Sequence, residues 1–356
     1  MNPQMADCYL PCTPTTLDLT NILGEIQEHI EKINSRLRHQ AASFDPAIVR
    51  YVEYVCESPG KRLRAALALL SGGATGKIGP QHIDLGTIVE LIHLASLIHD
   101  DILDHAPLRR GRATAHAKWG PELAVLLGDA LFAHALKLCT NYDSTHLARR
   151  IASASTLVCQ GEILQTQRSF DLTLSTTEYL KIIRLKTASL FSVAAELGAF
   201  LSGASPTICH LFATYGELLG VAFQIYDDCL DLIGHQNDAK KTLGCDLVRG
   251  KLTLPVLLHL ERIHGHQRQA ANDAILHGSE LQRMSLICDL HRSGAFKDSL
   301  RIVDNTLENA RLQLKQLDDS AYKRSLDALV EVLKSSVANM ITASEESKSL
   351  SESPSQ

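Results

Sequence analysis

Residues 90–104 read ELIHLASLIHDDILD, an apolar run that ends in three aspartates. At 100° per residue, Asp100, Asp101 and Asp104 fall within roughly a 100° arc of one helix, so three carboxylates project toward a single point. Their neighbours are apolar, so the carboxylates crown an otherwise buried helix rather than decorate a solvated face. Like charges clustered at the edge of a core repel and lose hydration, a cost that a bound divalent cation offsets. The spacing returns about 125 residues further on in GVAFQIYDDCLDLIG, residues 220–234, as Asp227, Asp228 and Asp231. One such cluster reads equally well as a solvated helix end; two in matched apolar helices point to metal. Carboxylates completed by water and phosphate oxygens suit Mg²⁺, which meets diphosphates through one or two carboxylates per ion.

Working outward, helical periodicity dominates and alternating β-branched runs are scarce, which predicts an all-α chain. Helices are expected near 19–38, 46–56, 61–72, 81–103, 121–140, 144–169, 176–202, 207–233, 251–263 and several beyond 279. Ser71-Gly-Gly-Ala-Thr-Gly76 reads as a loop, and Gly234 through Gly250 as a mobile connection. A flexible leader is expected over 1–18, one domain over 19–343, and a disordered Ser- and Glu-rich tail over 344–356. The chain has 356 residues, 45% hydrophobic and 21% charged, with net charge −5, the balance of an ordinary globular protein with ample core material. That balance lacks the basic footprint of a nucleic-acid binder, so any anionic ligand must meet a few local cations. No stretch reads as a membrane span, since the best candidates are interrupted by Glu90 and His93 or by Glu196. The first residues lack the basic and apolar segments of a secretory signal, so a cytoplasmic location is expected. The scattered cysteines (Cys8, Cys12, Cys56, Cys139, Cys159, Cys209, Cys229, Cys245, Cys288) read as reduced and mostly buried.

The cations stand beside the acids. Gly60-Lys-Arg-Leu-Arg64 opens an apolar helix, with Lys61 and Arg64 on one face. Arg109-Arg-Gly-Arg112 follows the first cluster and offers guanidinium forks for phosphate oxygens. Lys186-Thr187, Lys240-Lys241 and Lys251 come later. Each alone reads as a solvated charge; together they describe two anion sites. One is bridged by metal to the carboxylates, and the other is held by Lys61, Arg64, His93 and Arg110 without metal.

Through GKRLR, ELIHLASLIHDDILD, LRRG, LLGDALF, QGE, LKTASLF, AFQIYDDCLD and KKTLGCDLVRGKLTLP, the chain resembles the trans-isoprenyl (polyprenyl) diphosphate synthase family from about residue 20 to 340. The resemblance is to its long-chain branch of octaprenyl, heptaprenyl and solanesyl diphosphate synthases. It implies a bundle of antiparallel helices around a deep central cavity, a homodimer, and Mg²⁺, three ions per active site, with Mn²⁺ as a substitute. The substrates implied are isopentenyl diphosphate and an allylic diphosphate primer, with no nucleic acid, no transmembrane segment and peripheral membrane contact for product release. Carried over residue by residue, Asp100, Asp101, Asp104, Asp227 and Asp231 bind metal, with Asp228 behind them. Arg109, Lys186, Thr187, Gln224, Lys241 and Lys251 match allylic-diphosphate contacts, and Lys61, Arg64, His93 and Arg110 match the isopentenyl diphosphate site. Thr242 departs from the proline that relatives often carry after the lysine matched by Lys241. No basic ending of the tail is recognisable.

The chemistry implied is loss of diphosphate from the allylic substrate, attack by the isopentenyl double bond and loss of a proton. The small residues Ala95 and Ser96, just before Asp100, leave room for a growing chain where relatives that stop early carry a bulky aromatic. A long product of about C35 to C50 is therefore expected, with a farnesyl or geranylgeranyl product as the alternative. Other readings are an HD-type phosphohydrolase on His99-Asp100, a di-iron site on Glu90-Leu-Ile-His93 and Glu261-Arg-Ile-His264, a terpene cyclase, and a non-catalytic subunit of a heteromeric synthase.

Overall fold

The structure is a computed structural model that describes residues 22–58, 60–233 and 244–351. After a 3-10 turn at Gly24–Ile26 come α1 (Gln27–His39), α2 (Val49–Cys56), α3 (Leu63–Thr75) and α4 (Pro80–Leu103). A two-stranded hairpin, β1 (Leu108–Arg109) and β2 (Arg112–Ala113), precedes α5 (Ala115–Trp119), α6 (Pro121–Cys139) and α7 (Thr145–Gln167). Then α8 (Thr176–Ile183), a π-helical turn at Arg184–Ala188, α9 (Ser189–Leu201) and α10 (Pro206–Asp231) run almost without interruption. The chain ends with α11 (Cys245–Val248), α12 (Leu254–Arg262), α13 (Gly265–His277), α14 (Glu280–Arg292), α15 (Ala295–Leu314) and α16 (Ala321–Ser351). The backbone of α16 is thus helical past residue 344, where the Ser- and Glu-rich tail begins.

Local chemistry starts these helices where they start. Ser175 accepts from the Glu178 amide while the Glu178 carboxylate reaches back to Ser175, a capping box for α8. Ser205 caps α10 with Pro206 in the first turn, where a missing N–H costs nothing. Packing does the rest. α10 lies against α9 and α15, α9 against α3, and α4 against α6. Phe191, Phe212, Tyr215 and Phe296 are among the largest side chains fully withdrawn from water, each contributing about 2–3 kcal/mol by area.

The structure corrects the sequence reading in three places. Ser71 to Thr75 is helix, not loop: a Cβ at Gly72 would lie 2.4 Å from the His82 ring, so the glycine permits close helix packing rather than a turn. The predicted 176–202 helix is split by the π turn, which re-aims Lys186 and Thr187. The apolar helix α10 is long enough to cross a membrane, but it is packed between α9 and α15, which does not conflict with the expected absence of a span. Cys56, Cys139, Cys209 and Cys229 are buried thiols, whereas Cys288 is disulfide-bonded; spacing along the chain does not say which thiols meet.

Candidate active site

The first aspartate cluster ends α4, and each of its carboxylates meets a cation from a different element. Asp101, 5% exposed, accepts from Arg109 Nε at 2.8 Å and Nη2 at 2.7 Å. Arg109 is delivered by the hairpin, in which Arg109 pairs with Arg112 around a two-residue turn. Arg110 (φ +51°) and Gly111 (φ +76°) both take the left-handed conformation that such a turn demands. Asp104 accepts from Lys251 Nζ at 2.6 Å and lies 3.4 Å from an Arg249 nitrogen. Asp100 stands 3.7 Å from Lys186 Nζ. That ammonium also meets Glu162 at 2.5 Å and donates to Gln165 Oε1 at 2.8 Å, both carboxylate and amide coming from α7. Burial pushes the Asp100 carboxyl up to about 6, against the pull of Lys186.

The second cluster ends α10. Asp231 Oδ2 accepts the Asp246 amide at 2.9 Å, and burial together with the Asp246 charge pushes its carboxyl up to about 6. Asp228 is buried, accepting from Tyr179 Oη at 2.5 Å and from Gln224 Nε2 at 2.7 Å. Thr187 Oγ1 donates to Gln224 Oε1 at 2.7 Å, tying the π turn to α10. Asp227 is exposed, and its field counters the desolvation that lowers the Lys61 ammonium. Lys61 from the start of α3 therefore faces the second cluster.

Arg64, His93 and Arg110 gather beside it. The Arg64 guanidinium lies 4.6 Å over the Phe191 ring, and its Nε is buried without a hydrogen-bond partner among the described residues. Burial lowers it to about 10. His93 is held well below the ordinary histidine value of 6.5, first by burial and then by Arg64, Arg110, Arg109 and Arg62. It is therefore a neutral imidazole at pH 7. Because the unfolded chain takes up this proton first, the folded protein loses stability as pH falls below 6.5. Relative to wild type, His93→Gln is expected to lose less stability between pH 7.5 and 5. Thermal or urea melts across that range measure the difference; parallel pH profiles would show that His93 is not the sensitive group.

Ala95 is fully buried, whereas Ser96 is partly open and donates to the His93 carbonyl at 2.8 Å. Lys241 and Thr242 lie outside the described residues. Sequence reasoning did not assign Glu162, Gln165, Tyr179 or Arg249 to the site. Glu162 and Arg249 lie inside the QGE and KKTLGCDLVRGKLTLP motifs without having been singled out, and Gln165 follows Glu162 by three positions, on the same side of α7.

Among the described residues no three His, Cys, Asp or Glu side chains converge as a ready metal cage. The acids are instead alternated with cations. An all-oxygen donor set on two helices still fits Mg²⁺, which takes one or two carboxylates and fills its octahedron with water and phosphate.

The profile of the polyprenyl synthetase family matches residues 45–287. An octaprenyl diphosphate synthase of Haemophilus influenzae is 34% identical over 321 residues, covering 88% of this chain and 96% of its own. A short chain isoprenyl diphosphate synthase of Methanothermobacter thermautotrophicus is 30% identical over 318 residues, 88% of this chain and 98% of its own. Among solved structures, a polyprenyl synthase of Caulobacter crescentus, complexed with calcium and isoprenyl diphosphate, superposes with a TM-score of 0.83. It is 32% identical and covers 91% of this chain and 99% of its own.

Proposed function

Because the chain belongs to the polyprenyl synthetase family and is a polyprenyl diphosphate synthase, we propose that it joins isopentenyl diphosphate to an allylic primer and repeats the step to a long all-trans product. The observation that carries this reading is the pair of unlike anion sites: alternated acids and cations at Asp100 to Asp104, and cations with a neutral imidazole at Arg64 and His93. A metal diphosphate has the same alternation, with divalent ions meeting carboxylates and phosphate oxygens meeting Lys186, Arg109 and Lys251. The calcium and isoprenyl diphosphate of the Caulobacter protein support that assignment. The buried, unpartnered Nε of Arg64 supports a second, metal-free anion.

Mg²⁺ held by Asp100, Asp101, Asp104, Asp227 and Asp231 would neutralise the diphosphate and so ease its departure. The chain's own groups do the remainder. Lys186, Arg109 and Lys251 grip the leaving phosphates as the allylic carbon–oxygen bond breaks with its electron pair on oxygen. Lys61, Arg64, His93 and Arg110 hold isopentenyl diphosphate so that its double bond attacks the allylic carbon. Loss of the adjacent proton to the departing diphosphate restores a double bond. The packed core behind both helices keeps water from the cation.

On this reading the protein works in the cytoplasm as a homodimer, with exposed Val125, Leu126 and Leu136 of α6 offering the apolar surface a second copy would cover. The direct test is purified protein with Mg²⁺, isopentenyl diphosphate and farnesyl diphosphate, with products sized by chromatography. Successive elongation is expected, and no elongation would overturn the assignment.

A further inference from the structure

We propose that Glu90 is the positioning residue of the metal-free diphosphate site, fixing from behind the turn that presents Lys61 and Arg64. The inference rests on assigning Lys61, Arg64, His93 and Arg110 to isopentenyl diphosphate. Glu90 lies in α4 one turn before His93 and on the same face, and it is 2% exposed. Its Oε2 accepts from Arg62 Nη1 at 3.2 Å, and its Oε1 accepts the Ala65 amide at 3.2 Å, in the first turn of α3. One carboxylate thus holds both the helix start and the residue before it.

Arg62 explains why such a hold is needed. It is 8% exposed and left-handed (φ +51°), a conformation costing a non-glycine residue about 1–2 kcal/mol. Its other donors are anchored too, Nε to Asn34 Oδ1 at 2.9 Å and Nη2 to the Ser58 carbonyl at 3.2 Å. With Arg62 turned inward, the flanking Lys61 and Arg64 are left toward the site. The turn also abuts the hairpin, since a Cβ at Gly60 would lie 2.9 Å from Arg110 Nη1. Arg62, Arg64 and Arg110 repel one another at this density, and Glu90 is the buried anion among them. The Glu-x-x-His spacing that resembles a metal motif therefore has its glutamate committed to guanidinium and amide.

Glu90→Gln keeps the shape and removes the charge. The expected result is a KM for isopentenyl diphosphate raised about tenfold, with the KM for the allylic substrate within about twofold of wild type. Arg64→Gln is measured alongside. If Arg64→Gln raises the isopentenyl KM while Glu90→Gln changes neither KM or changes both alike, the positioning role is overturned. If Arg64→Gln leaves the isopentenyl KM unchanged, the site assignment itself fails and the proposal falls with it. Should Glu90→Gln not fold, Arg62→Lys, which keeps the charge and loses the fork, is expected to give the same split, and its absence overturns the proposal.

Discussion

Asp100→Asn is expected to lower kcat by about 10²–10⁴-fold while leaving the melting temperature no lower than that of wild type. The two effects have one cause. Asp100 is half-buried at the end of α4, and desolvation pushes its carboxyl up to about 6, well above the ordinary aspartate value of 3.8. A folded-state value above the unfolded one means that stability is lost as pH rises from 3.8 through about 6. At pH 7.5 the ionised Asp100 is therefore held at a cost, tempered by Lys186 at 3.7 Å. Asparagine has the same shape and no charge, so it relieves that cost while removing a donor for the metal and a partner for Lys186. Glu162, 2.5 Å from Lys186, keeps the ammonium paired and the fold intact. Asp227→Ala is expected to lose activity similarly with the fold kept, because Asp227 is exposed and stands outside the packed core. Steady-state kinetics and melting curves on the same preparations test the claim. Full activity in Asp100→Asn would remove the first cluster from the chemistry, and a lower melting temperature would show that the carboxylate serves the fold.

What the sequence displayed was periodicity, and what it concealed was partnership. The two aspartate helices could be read because 100° per residue converts spacing into direction within one element, and the helical core around them is packed as that pattern requires. Lys251 and Asp104 are separated by 147 positions, so no local pattern joins them. Tyr179 and Asp228 meet across 49 positions, from α8 to α10, with no sequence spacing to announce it. The Gly72 region misleads for the converse reason. Glycine marks a turn and a close helix contact with the same letter, and His82 decides between them only once α4 folds back on α3. Arg62 and Glu90 show the limit most plainly: an arginine in a basic run turns inward to Glu90 and Asn34, and only its left-handed backbone reveals it.

Ser96→Phe is expected to convert a long product into one of about three or four isoprene units. Ser96 lies one turn before Asp100 on the same face of α4, so a chain whose diphosphate is held at Asp100 extends past it. The serine is partly open and small, its hydroxyl spent on the His93 carbonyl at 2.8 Å. A benzyl group there would close the face a few units below the reacting carbon. Elongation would stop when the chain end meets the ring, while the diphosphate sites above remain untouched. Ala95, read together with Ser96 as the floor, differs physically. It is fully buried and turned about 140° from Asp100 around the helix, so phenylalanine there must displace core side chains at a cost of about 1–3 kcal/mol. The pair of variants therefore separates two effects: Ser96→Phe should shorten the product at near-normal stability, and Ala95→Phe should lower the melting temperature and shorten the product only if the chain bends toward α6. Sizing the products of all three proteins under one set of conditions is the test, and an unchanged product from an active Ser96→Phe enzyme would remove α4 as the floor of the tunnel.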